Sequence, residues 1–390
     1  MKRGQNMNQE AIQRGKNAIL GAFVADAATM GLHWLYSQPR LNELAPEVPE
    51  FRLPAAADFA GGVGYFAHGG KHPGDLSHYG EQARVMLMSM AATRGEYDRM
   101  HYQEAFRAHF GYGGTFSGYI DRPTRQTLDT LYSSENEQLT QASKIPFPGE
   151  DKQRATILTR VLSSAKRYSG ARLTEEVTRM AQSLPHPEAT LTYALALVGA
   201  LQSASDYPGA NDEQLPAISK LPVLVARHAT ATALTDLVSS AVKVTNNAPR
   251  AIDYGQVCAA TLRELVLGES VSAAIDAGLG AASAATREHL QAALGENMTV
   301  AEVTSKYGLN CDLGCGMASL LFNLNSATSF VHAIRRNILA GGDNCGRAIM
   351  LGAACGAKFG FDGAQGIPAA WLDRLPLKAQ LLADIDRLYA

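Results

Sequence analysis

One carboxylate stands alone in a long apolar stretch of the chain. Asp26 is the only Asp, Glu, Lys or Arg among residues 17–39, NAILGAFVADAATMGLHWLYSQP. A buried unpaired charge is so costly that such a group protonates, finds a hydrogen-bond donor or binds a cation. Two interpretations of Asp26 therefore stay open: a ligand for a cation, and an acceptor of hydrogen bonds from the end of a neighbouring helix.

A second carboxylate follows a pair of glycines in GGDNCGRA, residues 341–348. Asp343 stands where the N-cap of the next helix belongs, and its side chain could simply accept the free N–H groups of the first turn. The same place, beside those N–H groups and Arg347, also suits a metal or an anionic ligand. Cys345 in this first turn could be an activated thiol, although a buried inert cysteine is the commoner outcome.

A third polar group lies in GDLSHYGEQARVML, residues 74–87, where a turn enters an apolar helix. His78 and Glu81 share one helical face if the helix begins by His78. Glu81 could belong to a site, or it could be favoured in the first turn by the helix macrodipole alone.

Two loops carry aromatic and polar residues that could shape a pocket. GYGGTFSGYIDRPTRQT contains Tyr112, Tyr119 and Asp121, and VTNNAPRAIDYG contains Asn246. Such residues form the walls of ligand sites, but loops rich in glycine and tyrosine are also ordinary surface turns.

The elements that must position these residues are helices. Apolar residues recur at helical spacing in TLTYALALVGALQSA, QVCAATLRELVLG and NCGRAIMLGAACGAKFG, which predicts an all-α fold. The run KLPVLVARHATATALTDLVSSAVKVT predicts two helices broken near its centre. Small residues in the first and last long helices predict that both lie centrally. Residues 37–76, 111–126, 144–153 and 205–216 are predicted loops, the first long enough to be functional.

Bulk composition excludes several classes of protein. Lys plus Arg total 35 against 37 for Asp plus Glu, and no basic stripe favours nucleic acid as a partner. No segment has the roughly 18 apolar residues that a membrane span needs, and no secretory signal is present, so we expect a cytoplasmic protein with no membrane partner.

The five cysteines and the lack of linkers indicate the redox state of the thiols and the number of domains. An odd number of cysteines at low density favours reduced thiols, and Cys311 and Cys315 lack the second Cys/His pair of a zinc finger. The chain has no linker-like tract, so we expect one domain over residues 10–390, with residues 1–9 as a disordered N-terminus.

Three segments, taken in order, resemble the ADP-ribosylglycohydrolase superfamily: ILGAFVADAATMG, SHYGEQ and AGGDNCGRAIMLGAACGAKFGFDGAQGIPAAW. The last is the most specific, because it joins GGD, a glycine-rich helix and an IP-x-x-W ending. SGYIDRPTRQTL, EQLPAISKLPVLVARHA and VKVTNNA are most similar to the branch of J1-crystallins and selenoprotein J. The resemblance covers residues 12–375 and implies a compact orthogonal bundle of α-helices with a central cleft.

The resemblance also implies a metal centre. Active members of the superfamily hold two magnesium ions through an early T-D-D-T stretch, an acidic residue in the first helix and a late G-G-D-T-D-T stretch. Here residues 77–81 keep neither early aspartate, and Cys345 and Gly346 replace the second aspartate and the threonine of the late motif. Magnesium prefers oxygen ligands, so the resemblance implies one Mg²⁺ rather than two.

The resulting hypothesis is a hydrolase that cleaves the ribose anomeric bond of an ADP-ribosylated or related nucleotide-sugar substrate. Its partner would be an ADP-ribose-containing small molecule or an ADP-ribosylated protein, and its attacking water would be activated by Mg²⁺. The predicted catalytic residues and metal ligands are Asp26, Glu81 and Asp343. The residues predicted to contact substrate are His78, Tyr79, Tyr119, Asp121, Asn246, Asn344, Cys345 and Arg347. The alternative is a catalytically inactive ADP-ribose-binding or crystallin-like structural protein of the same fold.

Overall fold

Helices provide the regular structure of the chain, whose computed structural model describes residues 7–165, 168, 170–205 and 209–390. The first ten are α1 (Gln9–Thr29), α2 (Gln38–Leu44), α3 (His78–Ala92), α4 (Arg99–Phe110), α5 (Arg122–Ser143), α6 (Asp151–Ala165), α7 (Gly170–Gln182), α8 (Pro187–Ser205), α9 (Leu221–His228) and α10 (Leu234–Lys243). The others are α11 (Pro249–Leu267), α12 (Val271–Ala281), α13 (Ala284–Leu294), α14 (Val300–Tyr307), α15 (Leu313–Asn325), α16 (Phe330–Ala340), α17 (Asn344–Phe359), α18 (Ala369–Leu372) and α19 (Lys378–Leu388).

Short 3₁₀ helices at Met30–Leu32, Ala56–Phe59 and Leu215–Ile218 connect some of these elements. The described ranges contain isolated β-bridges but no β-strand. The predicted all-α class is confirmed. The predicted break between two helices is also present, since α9 ends at His228 and α10 begins at Leu234.

The two helices that the sequence predicts to be central are α1 and α17, and they pack along each other more extensively than any other pair in the described part of the chain. Glycines make this approach possible. A Cβ added to Gly21 would lie 2.2 Å from the backbone oxygen of Gly352, and a Cβ added to Gly352 would lie 2.3 Å from that of Gly21. The glycine pair thus sets the distance between the two helices.

Side-chain caps fix where three important helices begin. Asn8 accepts a hydrogen bond from the Ala11 N–H at the start of α1, Ser77 does so from Tyr79 in α3, and Asp343 does so from Gly346 in α17. These bonds satisfy N–H groups that have no partner within their helix. Ser77 and Asp343 therefore stand at the helix ends around which the polar residues gather.

The hydrophobic core has two parts. The main one joins α1, α3, α9, α11, α15, α16 and α17 with the segments around them. The second is built by side chains of α5, α6, α7 and α8, among them Ile157, Val161, Leu173, Val177 and Leu197. One domain over residues 10–390 stays a prediction.

Two segment boundaries predicted from the sequence differ from those in the structure. The expected loop at 37–76 contains the helix α2, which Ser37 caps and which has Pro39 in its first turn. Of the N-terminus expected to be disordered, residues 1–6 lie outside the described part, whereas Gln9 begins α1. No helix of the described residues is long and apolar enough to cross a membrane.

Candidate functional site

The N-terminal ends of α3 and α17 converge on the C-terminal part of α1 and the turn that follows it. The residues that meet there are His33, His68, His78, Tyr79 and Asp343, which we call the histidine–aspartate cluster. All five side chains are buried. Helix N-termini carry partial positive charge, so this place favours a carboxylate.

Asp343 is the anionic centre of the cluster. Its Oδ1 accepts hydrogen bonds from His33 Nε2 at 2.9 Å and from the Gly346 N–H at 3.1 Å, and its Oδ2 accepts the Tyr79 hydroxyl at 2.5 Å. Burial alone would raise the pKa of Asp343, but hydrogen bonds from His33, Cys311 and Tyr79 hold that pKa well below its usual range. Asp343 is therefore ionised, and it acts both as N-cap and as anchor for His33.

The three histidines lie against one another. His33 Nδ1 is 2.7 Å from His68 Nε2, and the ring centroid of His78 is 5.8 Å from that of His33. Burial lowers the pKa of His33, and it lowers the pKa of His68 to about 2 and that of His78 to about 3, so all three are neutral near pH 7. Since His33 donates from Nε2 to Asp343, its Nδ1 accepts the Nε2–H of His68.

His78 differs from the other two because its ring nitrogens have no hydrogen-bond partner among the described residues. Its Nε2 lies 3.5 Å from Asp121 Oδ2. Asp121 caps α5 by accepting the Thr124 N–H at 2.7 Å and accepts the Gln82 amide at 2.9 Å. Burial raises the pKa of Asp121 to about 6.

Asp26 is fully buried and is held by one residue. Its Oδ2 accepts the Ser77 N–H at 2.8 Å and its Oδ1 accepts the Ser77 hydroxyl at 2.5 Å. Burial raises the pKa of Asp26 to about 7. The contact is the helix-end hydrogen bond that the sequence offered as one of two interpretations. A Cβ added to Gly80 would lie 2.1 Å from Asp26 Oδ2, so the contact also requires glycine there.

Glu81 points to different partners. Its Oε2 accepts hydrogen bonds from His109 Nε2 at 2.9 Å and from Arg84 at 3.1 Å. Burial alone would raise the pKa of Glu81, but these two partners lower it. Asp26, Glu81 and Asp343 do not form a group of three ligand atoms within 4.8 Å of one another, and among the described residues only His33, His68 and His78 form such a group of His, Cys, Asp or Glu side chains.

Four predicted substrate contacts are buried and engaged by the chain itself. Arg347 donates to Asn337 Oδ1 at 2.9 Å and to the Gly341 carbonyl at 2.5 Å, so it holds the end of α16. Asn344 donates to the Leu32 carbonyl at 3.2 Å. Burial raises the pKa of the Cys345 thiol far above its ordinary value, which leaves it protonated.

Asn246 is likewise buried, and its amide donates to Asp212 Oδ1 at 3.1 Å. Contact of these four side chains with a substrate stays a prediction. In the structure Asn246, Asn344 and Arg347 each support a loop or a helix end. The Cys345 thiol lies 4.0 Å from the Asp26 carbonyl oxygen.

Tyr119 has a different environment, because it lines an open cavity of about 580 Å³ that we call the aromatic cavity. The ring of Tyr119 lies edge-on to His78, with 5.2 Å between ring centroids, and to Trp34, with 4.9 Å. The aromatic cavity therefore adjoins the histidine–aspartate cluster. Its principal lining residues are Tyr65, Phe110, Tyr112, Phe116, Tyr119 and Arg125.

His33 and His68 were not among the site residues predicted from the sequence. Each was a lone histidine in its segment, in GLHWLY and YFAHGG, and a lone histidine carries no spacing signal. The available signal was weak: His33 lies in the same apolar stretch as Asp26, residues 17–39, so burial of its imidazole and a hydrogen-bond partner for it were to be expected. Cys311, considered only for zinc, hydrogen-bonds to Asp343 and lies beside the cluster.

Similarity to known proteins agrees with this fold. Residues 7–390 match the ADP-ribosylglycohydrolase family, so the chain belongs to that family. It is 25% identical to crystallin J1A of Tripedalia cystophora over 94% of this chain and 93% of that protein, and 24% identical to crystallin J1B of the same organism over 94% of each. A solved structure described as an ADP-ribosylglycohydrolase-related protein complex superposes with a TM-score of 0.61 at 18% identity, covering 98% of this chain and 99% of that one. The predicted resemblance is confirmed.

Proposed function

We propose that this protein is a hydrolase of the glycosidic class that acts on an ADP-ribosylated or related nucleotide-sugar compound. The observation that carries the proposal is the position of the histidine–aspartate cluster beside the aromatic cavity, with Tyr119 contacting both. The cavity volume of about 580 Å³ lies in the usual range for small-molecule sites. Its tyrosine and phenylalanine rings suit the stacking of a nucleobase.

The residues next to the cavity have distinct parts in this proposal. The ring nitrogens of His78 have no hydrogen-bond partner among the described residues, so they are able to accept a hydrogen bond from, or donate one to, a ribose hydroxyl or a water. Asp121 lies close enough to orient the His78 ring. Asp343 accepts hydrogen bonds from Tyr79 and His33, which fixes these side chains next to His78. The cluster is therefore in place before a substrate binds.

The two-magnesium centre of active members of the superfamily does not fit the residues present. Both oxygens of Asp26 accept hydrogen bonds from Ser77, and both oxygens of Asp343 accept from donors of the protein. Asp26, with a pKa of about 7, is also only partly ionised at neutral pH. A single Mg²⁺ shared by Asp26, Glu81 and Asp343 stays a prediction, and it requires these carboxylates to exchange their present partners.

The experiment is direct. The purified full-length protein is incubated with ADP-ribosylated arginine, ADP-ribosylated serine and O-acetyl-ADP-ribose, with and without Mg²⁺, and released ADP-ribose is measured. Release from at least one substrate is expected, with a large loss for His78→Ala and none for His72→Ala, whose side chain is exposed in the preceding loop. If no substrate yields ADP-ribose, the proposed hydrolase activity is wrong.

The similarity to two crystallins favours a second candidate, a non-catalytic protein that keeps the fold and binds a ligand or serves a structural role. Thermal unfolding separates the candidates. A rise in melting temperature with ADP-ribose but no turnover indicates a binding protein, because a ligand that binds only the folded state stabilises it. No response to ADP-ribose, with or without metal, indicates a structural role.

A further inference from the structure

We propose that His33, His68 and His78 form a binding site for a divalent transition-metal cation such as Zn²⁺, with at least one coordination position left open. One ligand atom of each histidine lies within 4.8 Å of the others, and all three rings are buried. Three imidazoles with an open fourth position are a recurrent ligand set for zinc. The proposal goes beyond the hydrolase function and needs no substrate for its test.

His78 provides an independent indication of a ligand. Its side chain is 2% exposed, yet neither ring nitrogen has a hydrogen-bond partner among the described residues. Buried polar atoms are almost always paired, and each exception calls for an explanation. A cation bound to one of these nitrogens provides that atom with a partner, and Asp121 Oδ2 lies 3.5 Å from Nε2.

The contacts of His33 match those of a metal-ligating histidine. Such a residue usually donates its second ring N–H to a carboxylate, which fixes the ring orientation and the tautomer. His33 donates Nε2–H to Asp343 at 2.9 Å, which leaves Nδ1 as the atom that faces His68. Tyr79 and Gly346 hold Asp343 in turn, so the supporting shell is already assembled.

The spacing of His33 and His68 requires only a small adjustment, and the ligand atom of His78 lies within 4.8 Å of theirs. His33 Nδ1 and His68 Nε2 are 2.7 Å apart in the hydrogen-bonded state. Two nitrogens on one tetrahedral zinc ion, each at its usual bond length, are about 3.3 Å apart. Binding therefore requires His68 to take its other neutral tautomer, with the proton on Nδ1, so that the lone pair of Nε2 faces the metal. It also moves these two rings apart by about half an ångström.

The charges around the three histidines and the imidazole type of the ligands determine which cation the site would bind. The negative groups near the site are Asp343 and Asp121, and the positive groups that act on its histidines are Lys71 and Arg347. The guanidinium of Arg347 donates to Asn337 and the Gly341 carbonyl rather than to the cluster. Neutral imidazoles suit zinc, copper, nickel and iron, whereas magnesium prefers oxygen ligands.

The test is a titration of the metal-stripped, full-length protein with Zn²⁺ alone, followed by calorimetry and by metal analysis after gel filtration. We expect one equivalent to bind. His78→Ala and His68→Ala should weaken binding by more than about 100-fold, because loss of an outer-shell partner alone costs 10–100-fold. Asp343→Asn should weaken Zn²⁺ binding by about 10–100-fold, because Asp343 contacts His33 and not the metal. His72→Ala is the matched control and should bind as the wild type does.

Two further measurements keep the proposal falsifiable. Thermal unfolding of each metal-free variant shows whether a loss of binding reflects a loss of fold, and Co²⁺ in place of Zn²⁺ reports nitrogen ligands through its visible absorption. Less than one equivalent in the wild type, or undiminished binding in folded His78→Ala, overturns the proposal. So does binding that Cys311→Ser abolishes and the histidine variants retain. Because no assay here uses substrate, failure of the metal site leaves the hydrolase proposal untouched.

Discussion

Two aspartates of the same interior show how strongly local donors control a carboxylate. Asp26 and Asp343 are both fully buried, and burial raises the pKa of each. Among the described residues, Asp26 receives its side-chain hydrogen bonds from Ser77 only, and burial raises its pKa to about 7. The donors to Asp343 include an imidazole, a phenol, a thiol and a backbone N–H, and its pKa falls well below the usual value. The hydrogen bonds therefore lower the pKa of Asp343 by more than burial raises it, whereas at Asp26 burial has the larger effect on the pKa.

Asp343→Asn is therefore expected to be destabilising. Asparagine keeps the N-cap but offers one acceptor oxygen, so the Tyr79 hydroxyl or the His33 N–H is left without a partner, at a cost of about 1–3 kcal/mol. Asn8→Asp is the control, because Asn8 caps α1 through the Ala11 N–H outside the cluster. Its cost should be a few tenths of a kcal/mol, since Asn and Asp are nearly equal caps. Urea unfolding of both variants measures the difference, and equal losses would contradict this account.

A buried lysine gives the stability a specific pH dependence. Lys220 is fully buried and donates to the Thr245 hydroxyl, and burial lowers its pKa to about 7. The unfolded chain holds this proton up to its ordinary pKa near 10.5. Between those values the unfolded state binds more protons, so the free energy of unfolding decreases as pH falls from 10.5 to 7.

Lys220→Met should remove this dependence. The melting temperature of the variant, relative to the wild type, is expected to rise as pH falls from 10 towards 7, because the variant never carries the buried charge. Comparison at each pH cancels the titration of all other groups that the two proteins share. Differential scanning fluorimetry across this range suffices, and a difference that does not change with pH would show that Lys220 stays charged in the folded protein.

At the scale of elements, the sequence predicts the helices and their central pair better than it predicts the site. Small residues within one segment identify α1 and α17, because a helical face is a local pattern. The site depends on His33, His68 and His78, which come from three segments, and on the tertiary contacts that bring them together. Asp343 was found because an N-cap beside paired glycines is also a local signal.

The packing of α1 on α17 predicts a sharp contrast between two identical substitutions. Gly352→Ala places a Cβ 2.3 Å from the Gly21 carbonyl oxygen, where backbone has to move, and should cost about 3 kcal/mol or more. Gly199→Ala in α8 meets nothing within 4 Å and should instead stabilise by about 0.5–1 kcal/mol, because alanine favours the helix. Chemical denaturation of both variants checks the signs. A mild effect of Gly352→Ala would mean that the two helices separate easily.

At the scale of the whole molecule, the helices that hold the site belong to one hydrophobic core, and the helices α5–α8 form a second one. The histidine–aspartate cluster is held by α1, α3 and α17, all of which belong to the main core. The side chains of the α5–α8 core pack mainly among themselves. Asp121, which caps α5 and lies 3.5 Å from His78, is a direct contact between the helix that leads into the second core and the site.

This division predicts two levels of stability in one chain. Backbone amides of α6 and α7 should exchange with solvent by local opening, faster than those of α1 and α17, because their helices rest on a smaller core and expose more of their surface. Hydrogen exchange followed by mass spectrometry measures both groups in one experiment. Val161→Ala, in the second core, should accelerate exchange in α6 to α8 and leave α1 and α17 unchanged. Equal acceleration in all of these helices would show instead that the two cores unfold as one cooperative unit.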